Sequence, residues 1–202
     1  MRQDTVTSTR VLTLVVASAL FMESLVSTVI ATSLAAMAAD LGVDPLTLKL
    51  AFTAYYVALA IFIPVSGWCA DRFGARTVFA ASIGVFTLAS VACALAWNLH
   101  ALIAGRFLQG VGGAMMLPVG RLILLRVIPK RDMVSAMAWL SIPTLFAPIM
   151  GPPVGGFITT YYHWRGIFWL NVPVGLAGLA LAWALVPQVK AEVLKPMDWL
   201  GF

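Results

Sequence analysis

Charged residues are scarce in this sequence, and their scarcity excludes a large class of proteins. They make up 10% of the 202 residues, whereas hydrophobic residues make up 61%. A water-soluble domain has about a quarter of its residues charged. The composition therefore excludes an ordinary soluble domain and indicates a protein of the lipid bilayer. Regular alternation of polar and apolar residues is also lacking, which argues against the strands of a transmembrane barrel.

Residues suited to covalent and metal chemistry are few as well. The sequence has two cysteines, Cys69 and Cys93, and two histidines, His100 and His163. Cysteines in or beside apolar runs indicate small packing residues rather than a disulfide scaffold, and the histidines lack metal-ligand spacing. The sequence contains no paired nucleophile and base and no glycine-rich phosphate loop. We therefore expect that the protein is not an enzyme and has no metal site and no cofactor.

Six long apolar runs, separated by short loops, fill most of the chain. They cover about residues 11–36, 50–69, 77–97, 101–125, 133–159 and 167–186. A helix needs roughly 20 apolar residues to cross the hydrocarbon core, and in lipid each segment must satisfy its own backbone hydrogen bonds. The sequence therefore predicts an all-α membrane protein with six transmembrane helices.

The basic residues are distributed unevenly between the loops. With both ends of the chain in the cytoplasm, only Lys49 and Arg165 fall in outer loops. The inner segments carry Arg2, Arg10, Arg72, Arg76, Arg121, Arg126, Lys130, Arg131, Lys190 and Lys195. This is the positive-inside pattern of a multi-pass protein in the inner or plasma membrane, and it explains the net charge of +5 without nucleic acid. A cleavable signal peptide is the weaker alternative, because the first run is too long and contains Glu23.

Three runs in each half of the chain place the two halves in opposite orientations. A weak internal echo follows the second and the fifth runs, at Gly67…Asp71-Arg72 and at Gly155-Gly156…Trp164-Arg165. We predict a 3+3 inverted-repeat bundle, an arrangement common in transporters, with the substrate site near the midplane. Residues 1–186 are expected to form this bundle. Residues 187–202 are expected to form a cytoplasmic linker and the start of a further helix, with a short interfacial tail as the alternative.

One acidic residue stands inside the first apolar run. Glu23 lies about 12 residues into that run, roughly 18 Å from its inner end at 1.5 Å per residue. A carboxylate near the midplane costs several kcal/mol unless it is paired, solvated or protonated, so it is a functional candidate. A proton carrier is the functional interpretation. A carboxylate neutralised by a structural hydrogen bond is the alternative.

One basic residue stands inside the fourth run. Arg106 lies about 6 residues, or some 9 Å, from the outer end, and Gln109 follows one turn later on the same side. Extension of the Arg106 side chain to the outer surface is one interpretation of this position. A direct pair between Glu23 and Arg106 is not expected, because their depths differ by about 10 Å.

The loop after the second run has the most specific local pattern. It reads Gly67-Trp68-Cys69-Ala70-Asp71-Arg72-Phe73-Gly74-Ala75-Arg76. Gly74 permits a turn with positive φ, Gly67 permits close approach of another helix, and Asp71 can cap a helix start. An ordinary basic loop explains these residues equally well. The pattern also resembles motif A of the major facilitator superfamily, which implies a conformational gate formed by Gly67, Asp71, Arg72, Gly74 and Arg76.

Three further motifs of that superfamily follow in the expected order. The segment from Arg106 through Gln109 to Ala114 resembles motif B, which implies that the Arg106 charge faces the central cavity and senses or assists proton transfer. Gly151-Pro152-Pro153-Val154-Gly155-Gly156 resembles motif C, the antiporter motif, and the segment 164–175 resembles the entry to helix six of fourteen-helix drug:proton antiporters. The chain is thus similar to the N-terminal six-helix half of such a transporter. The resemblance implies that motif C helps the two halves to seal or rock, through Pro148, Gly151, Pro152, Gly155 and Gly156.

The first run departs from the pattern that these antiporters usually show. They read L-D-x-T-I-V-N-V-A-L-P there, whereas this sequence has Val26 for the acid, Ala31 for the asparagine and Ala35 for the proline. Glu23 comes three residues before Val26 and therefore lies on nearly the same helix face. We expect Glu23 to carry the protonation role alone; altered coupling or a degenerate protein is the alternative.

Taken with the residues, the resemblance implies a secondary active transporter. It would export small lipophilic or drug-like compounds against an inward flow of protons, by alternating access. Its partners would be membrane lipid, protons, a small-molecule substrate and a C-terminal helical half. Uptake of a small nutrient, proton-coupled or facilitative, is one alternative, against which motif C argues. A half-transporter remnant that does not transport is the other.

Overall fold

The computed structural model describes residues 2–189, with side chains from residue 11 onward. In chain order its helices are α1 Arg2–Thr32, α2 Leu34–Leu41, α3 Pro45–Phe73, α4 Ala75–Ala94, α5 Leu99–Val127, the short 3-10 helix Lys130–Asp132, α6 Met133–Tyr161, α7 Gly166–Trp169 and α8 Asn171–Leu185. Within residues 2–189, six helical stretches are long and apolar enough to cross a membrane. The predicted all-α membrane architecture is confirmed.

Side-chain caps explain where two of the long helices begin. The Asp44 carboxylate accepts a hydrogen bond from the Leu46 N–H at 2.6 Å, and Pro45 takes the first helical position. Asn98 accepts a bond from the Ala101 N–H at 2.8 Å at the start of α5. Both caps satisfy amide groups that a helix start leaves unpaired. Helix α3, the second membrane span, consequently starts at Pro45, five residues before the apolar run that was predicted to begin at residue 50.

The first and sixth apolar runs are divided. In the first run, α1 ends at Thr32, the chain turns at Ser33, and α2 follows. Gly42, with a φ of 63°, caps the end of α2. The sixth begins with the four residues of α7 and resumes at Asn171. Hydropathy alone does not show such breaks, because the apolar composition continues through them. The proline-rich α6, in contrast, remains one helix from Met133 to Tyr161.

The long helices pack into two groups that meet along α4. Helices α3, α4 and α5 form one group, α1 packs against α6, and α8 contacts both α4 and α1. The most apolar stretch of α4 is 61% buried, whereas that of α6 is only 17% buried. Apolar side chains exposed on an outer helix are suited to contact with lipid, where packing and small residues rather than water expulsion hold helices together.

The bundle has two ends that differ in charge. The ends of α3 and α5 lie together with residues 187–189, as the ion pair Asp71–Arg126 and the hydrogen bond from the Ala75 N–H to the Val189 carbonyl show. We call this the basic end. At the opposite end, Arg165 contacts Asp40 and the Ala96 carbonyl, which brings the ends of α2 and α4 to the loop before α7.

Candidate functional site

Glu23 lies in the middle of α1 and is bound by a residue of another helix. Its Oε1 accepts a hydrogen bond from the Tyr55 hydroxyl of α3 at 2.6 Å. Its other oxygen, Oε2, is 3.4 Å from the Ser24 hydroxyl, a donor on the same helix. The residue is partly exposed rather than buried. These hydrogen bonds hold the carboxyl in a defined position between α1 and α3.

Arg106 occupies the interior of the bundle. Its side chain is only 2% exposed, and Nη1 donates a hydrogen bond to Oε1 of Gln109. The amide of Gln109 in turn donates to the Ser90 hydroxyl of α4 at 2.7 Å. The alternative in which Arg106 extends to the membrane surface is therefore wrong, because these bonds hold its guanidinium inside the bundle.

Tyr55 stands between the two charges. The Arg106 guanidinium carbon lies 4.3 Å from the centre of the Tyr55 ring, within cation–π range. Glu23 and Arg106 form no direct ion pair among the described side chains, in line with the difference in depth inferred from the sequence. The predicted residues Glu23, Arg106 and Gln109 are thus brought to one site, with Tyr55 as the connecting residue.

Sequence reasoning missed Tyr55 and Ser90. Both are buried, at 1% and 0% exposure, and each supplies a polar atom to the network. The signal that could have found them is a hydroxyl within an apolar run. That signal alone is weak, because it does not show which face of the helix a residue occupies.

The loop at the basic end has the predicted turn but a different polar contact. Gly74 has a φ of 92°, the left-handed conformation expected of it. Asp71 does not cap α4, whose N-terminal position has no side-chain cap. It forms an ion pair of 2.7 Å with Arg126 at the end of α5 instead. The proposed helix contact at Gly67 is also wrong for the described residues, since none of their atoms lies within 4 Å of a Cβ built there.

The two other basic residues of this loop stack on tryptophans. The Arg72 guanidinium lies 5.4 Å from the Trp68 ring centre, and that of Arg76 lies 5.2 Å from the Trp183 ring centre on α8. Gln188 donates to the Thr77 hydroxyl at 2.9 Å. The loop is therefore held on one side to α8 and the residues after it. Residues 190–202 of the predicted linker lie outside the described part of the chain.

The antiporter-type motif faces α1. A Cβ on Gly151 would collide with the Thr28 side chain, and one on Gly155 would lie 2.8 Å from the Val29 carbonyl oxygen. These two glycines therefore make the close contact between α6 and α1 possible. Pro148 and Pro152 are exposed, and Gly156 has open space beside it among the described atoms.

A second polar cluster lies at the opposite end of the bundle. Asp40 accepts hydrogen bonds from Arg165 Nη1 at 2.6 Å and from the Trp164 indole at 3.0 Å, and His163 lies 3.3 Å away. The Arg165 hydrogen bond holds the pKa of the Asp40 carboxyl below its usual range. Asn171, the first residue of α8, is fully buried and donates to the Ile167 carbonyl.

The chain resembles curated proteins named for multidrug resistance over nearly its whole length. Two of them carry the name "Putative multidrug resistance protein MdtD", one from Serratia proteamaculans (strain 568) and one from Cronobacter sakazakii (strain ATCC BAA-894). Each is 40% identical over 188 residues, or 93% of this chain. The chain spans only about 40% of the length of these relatives.

Solved structures show the same helical arrangement. A structure of the proton:xylose symporter XylE bound to 6-bromo-6-deoxy-D-glucose matches with a TM-score of 0.80, covering 90% of this chain and 45% of that one. A crystal structure of a D-xylose-proton symporter matches with a TM-score of 0.78 over 88% of this chain and 48% of that one. Both are 16% identical to this sequence, so the likeness shows the fold alone.

The family model of the Major Facilitator Superfamily matches residues 16–198. This match covers most of the chain and agrees with the 40% identity to transport proteins and with the fold. The members of this family are transporters rather than enzymes. The chain therefore belongs to the major facilitator superfamily.

Proposed function

We propose that this chain forms one half of a secondary active transporter that exports small lipophilic, drug-like compounds in exchange for protons. The observation that carries the proposal is Glu23, an acidic residue in the middle of a membrane-spanning helix whose carboxyl is hydrogen-bonded to a neighbouring helix. Such a group is costly in lipid and is retained where it serves a substrate or proton pathway. The similarity to proteins named for multidrug resistance supports a drug-like substrate.

In this proposal Glu23 is the group that gains and loses the proton. Protonation removes its negative charge and so changes the relative stability of the two access states, which is the requirement for coupling. Arg106 remains charged nearby and is held by Gln109. Its fixed positive charge favours the ionised form of Glu23 and thereby favours release of the proton once water reaches the carboxyl.

The two glycine-containing motifs have separate roles in alternating access. Gly151 and Gly155 allow α6 to pack directly on α1, the helix that carries Glu23. A movement of α6, which contains Pro148 and Pro152, therefore displaces α1 and with it Glu23. The Asp71–Arg126 pair closes the basic end, where Gly74 forms the turn between α3 and α4 and where Arg72 and Arg76 stack on tryptophans.

The proposal also specifies the surroundings of the chain. Both ends of this segment lie in the cytoplasm, the bundle crosses the cell membrane, and a second helical half completes the path. Membrane lipid contacts the exposed apolar surface of α6. Protons and a small-molecule substrate are the species that pass.

The experiment is transport by the full native chain in everted vesicles or proteoliposomes with an imposed pH gradient. Wild type is expected to accumulate a lipophilic drug and to release protons from the vesicle lumen. Glu23→Gln is expected to lose at least ten-fold of this coupled transport, because the amide cannot be ionised. Glu23→Asp is the matched control and should keep part of it. Coupling that is unchanged in Glu23→Gln contradicts the proposal, and drug movement in the same direction as protons indicates uptake instead.

A further inference from the structure

The hydroxyl of Tyr55 connects the helix that carries Glu23 to a neighbouring helix. It donates to Glu23 Oε1 at 2.6 Å and accepts from the Ser27 hydroxyl at 3.4 Å. Both partners belong to α1, whereas Tyr55 belongs to α3. Its aromatic ring, at the same time, lies under the Arg106 guanidinium of α5. One side chain therefore contacts the acid with its polar tip and the base with its ring.

We propose that Tyr55 is a positioning residue that transmits the protonation state of Glu23 to α3 and to the Arg106 network. This inference rests on the proposed role of Glu23 as the proton carrier. Tyr55 does not itself need to exchange a proton. It fixes where the carboxyl lies, and its bond to the carboxyl changes in strength when the carboxyl is protonated.

The direction of the change follows from hydrogen-bond chemistry. A hydroxyl donating to an ionised carboxylate makes a bond roughly twice as strong as one between neutral groups. The Tyr55–Glu23 bond is therefore strongest when Glu23 is ionised, and it holds α1 against α3 in that state. Protonation of Glu23 therefore weakens the hydrogen bond from the Tyr55 hydroxyl. The link between the helices then loosens without any movement of Arg106.

The surroundings of Tyr55 keep its ring in one orientation. The side chain is 1% exposed, and Gly113 of α5 leaves the space that the hydroxyl and Glu23 occupy. A Cβ at Gly113 would lie 3.2 Å from the Tyr55 hydroxyl oxygen and 3.4 Å from Cγ of Glu23. Arg106 is tied through Gln109 to Ser90 of α4. The chain of contacts thus runs from α1 through α3 and α5 to α4.

Tyr55→Phe separates this role from simple packing. The substitution keeps the ring, the cation–π contact and the buried volume, and it removes one hydroxyl. The matched control is Tyr56→Phe, since Tyr56 is adjacent, 54% exposed and makes no hydrogen bond with the described residues. The readout is the pH profile of drug transport by the full native chain in proteoliposomes.

In Tyr55→Phe the pH midpoint of transport is expected to move upward by about one unit, because the ionised carboxylate has lost a donor. Tyr56→Phe should keep the wild-type profile. An unchanged midpoint in Tyr55→Phe, or an equal shift in both variants, overturns the inference. If Glu23→Gln also leaves the pH profile unchanged, the proposed function fails. If Glu23→Gln alters the profile and Tyr55→Phe does not, only the role of Tyr55 fails.

A second measurement does not depend on the folding of the variant at position 55. Infrared difference spectra of wild type between two pH values are expected to show the carboxyl band of Glu23 together with a tyrosine ring band. Both bands should disappear in Glu23→Gln. A carboxyl band without any accompanying tyrosine change contradicts the inference even where Tyr55→Phe fails to fold.

Discussion

The two ends of the bundle are each closed by an aspartate and an arginine, but they differ in the number of contacts. At the basic end, Arg126 Nη2 donates one hydrogen bond to Asp71 Oδ1 at 2.7 Å. At the opposite end Asp40 meets Arg165 at 2.6 Å and also accepts from Trp164. Arg165 donates in addition to the Ala96 carbonyl at 2.8 Å. The Asp71–Arg126 pair is thus a single ion pair, whereas the Asp40–Arg165 pair belongs to a network.

The positions of the two pairs correspond under the inverted repeat. Asp71 lies in the last turn of α3, the second membrane span, and pairs with the end of α5, the fourth. Arg165 follows the fifth span and pairs with the segment after the first. Exchanging spans one to three with spans four to six therefore exchanges the two pairs, with acid and base reversed. The same type of ion pair therefore occurs at both ends of the bundle.

The largest loss of unfolding free energy is expected when the network at the opposite end is broken. Arg165→Gln removes the ion pair with Asp40, the bond to the Ala96 carbonyl and stacking on Trp164, whose ring centre is 4.4 Å from the guanidinium. We expect the free energy of unfolding in mixed micelles to fall by about 1–2 kcal/mol. Arg131→Gln is the matched control, because Arg131 is 66% exposed and pairs only with its neighbour Asp132 among the described residues. Equal losses in both variants would contradict the comparison.

A smaller loss of unfolding free energy is expected when the Asp71–Arg126 pair at the basic end is broken. Asp71→Asn removes one ion pair whose side chains are 39% and 28% exposed. Pairs this open to solvent contribute about 0–1 kcal/mol. A double-mutant cycle with Arg126→Gln should therefore give a coupling energy below about 1 kcal/mol. A coupling energy larger than the loss in Arg165→Gln would reverse the proposed order of the two ends.

The helices were predictable from the sequence because hydropathy is a property of local composition. Six runs gave six spans, and the Gly74 conformation followed from a motif. The break at Ser33 was not predictable, because the apolar composition continues through it. Neither was the division at Leu170, for the same reason.

The candidate site was only partly predictable. Glu23 and Arg106 stood out because a charge within an apolar run is costly and therefore conspicuous. Their connection through Tyr55 depends on how α3 faces α1 and α5, which a single sequence does not specify. The partner of Asp71 was missed for the same reason, since Arg126 is 55 residues away. Gly67 was assigned a helix contact from its residue type alone, and the described helices make none.

The smallest expected effect is the pH dependence that Asp40, at the opposite end, gives to the unfolding free energy. Arg165 lowers the pKa of Asp40 from its ordinary value of 3.8, so the unfolded chain takes up a proton at higher pH than the folded one. The stabilisation by Asp40 is therefore complete above the ordinary value and is lost as pH falls through the lower folded value. Between pH 5 and pH 3, the unfolding free energy of wild type should fall more steeply than that of Asp40→Asn.

The matched control for this measurement is Asp132→Asn, which removes an exposed carboxylate whose described partner is the adjacent Arg131. Its pH dependence should follow wild type closely, because that pair joins neighbouring residues and holds no two helices together. Asp40 faces Arg165, Trp164 and His163, so its protonation weakens contacts to the loop before α7. If the Asp40→Asn and wild-type curves are parallel over this pH range, the ionised Asp40 carboxylate does not stabilise the fold through these contacts.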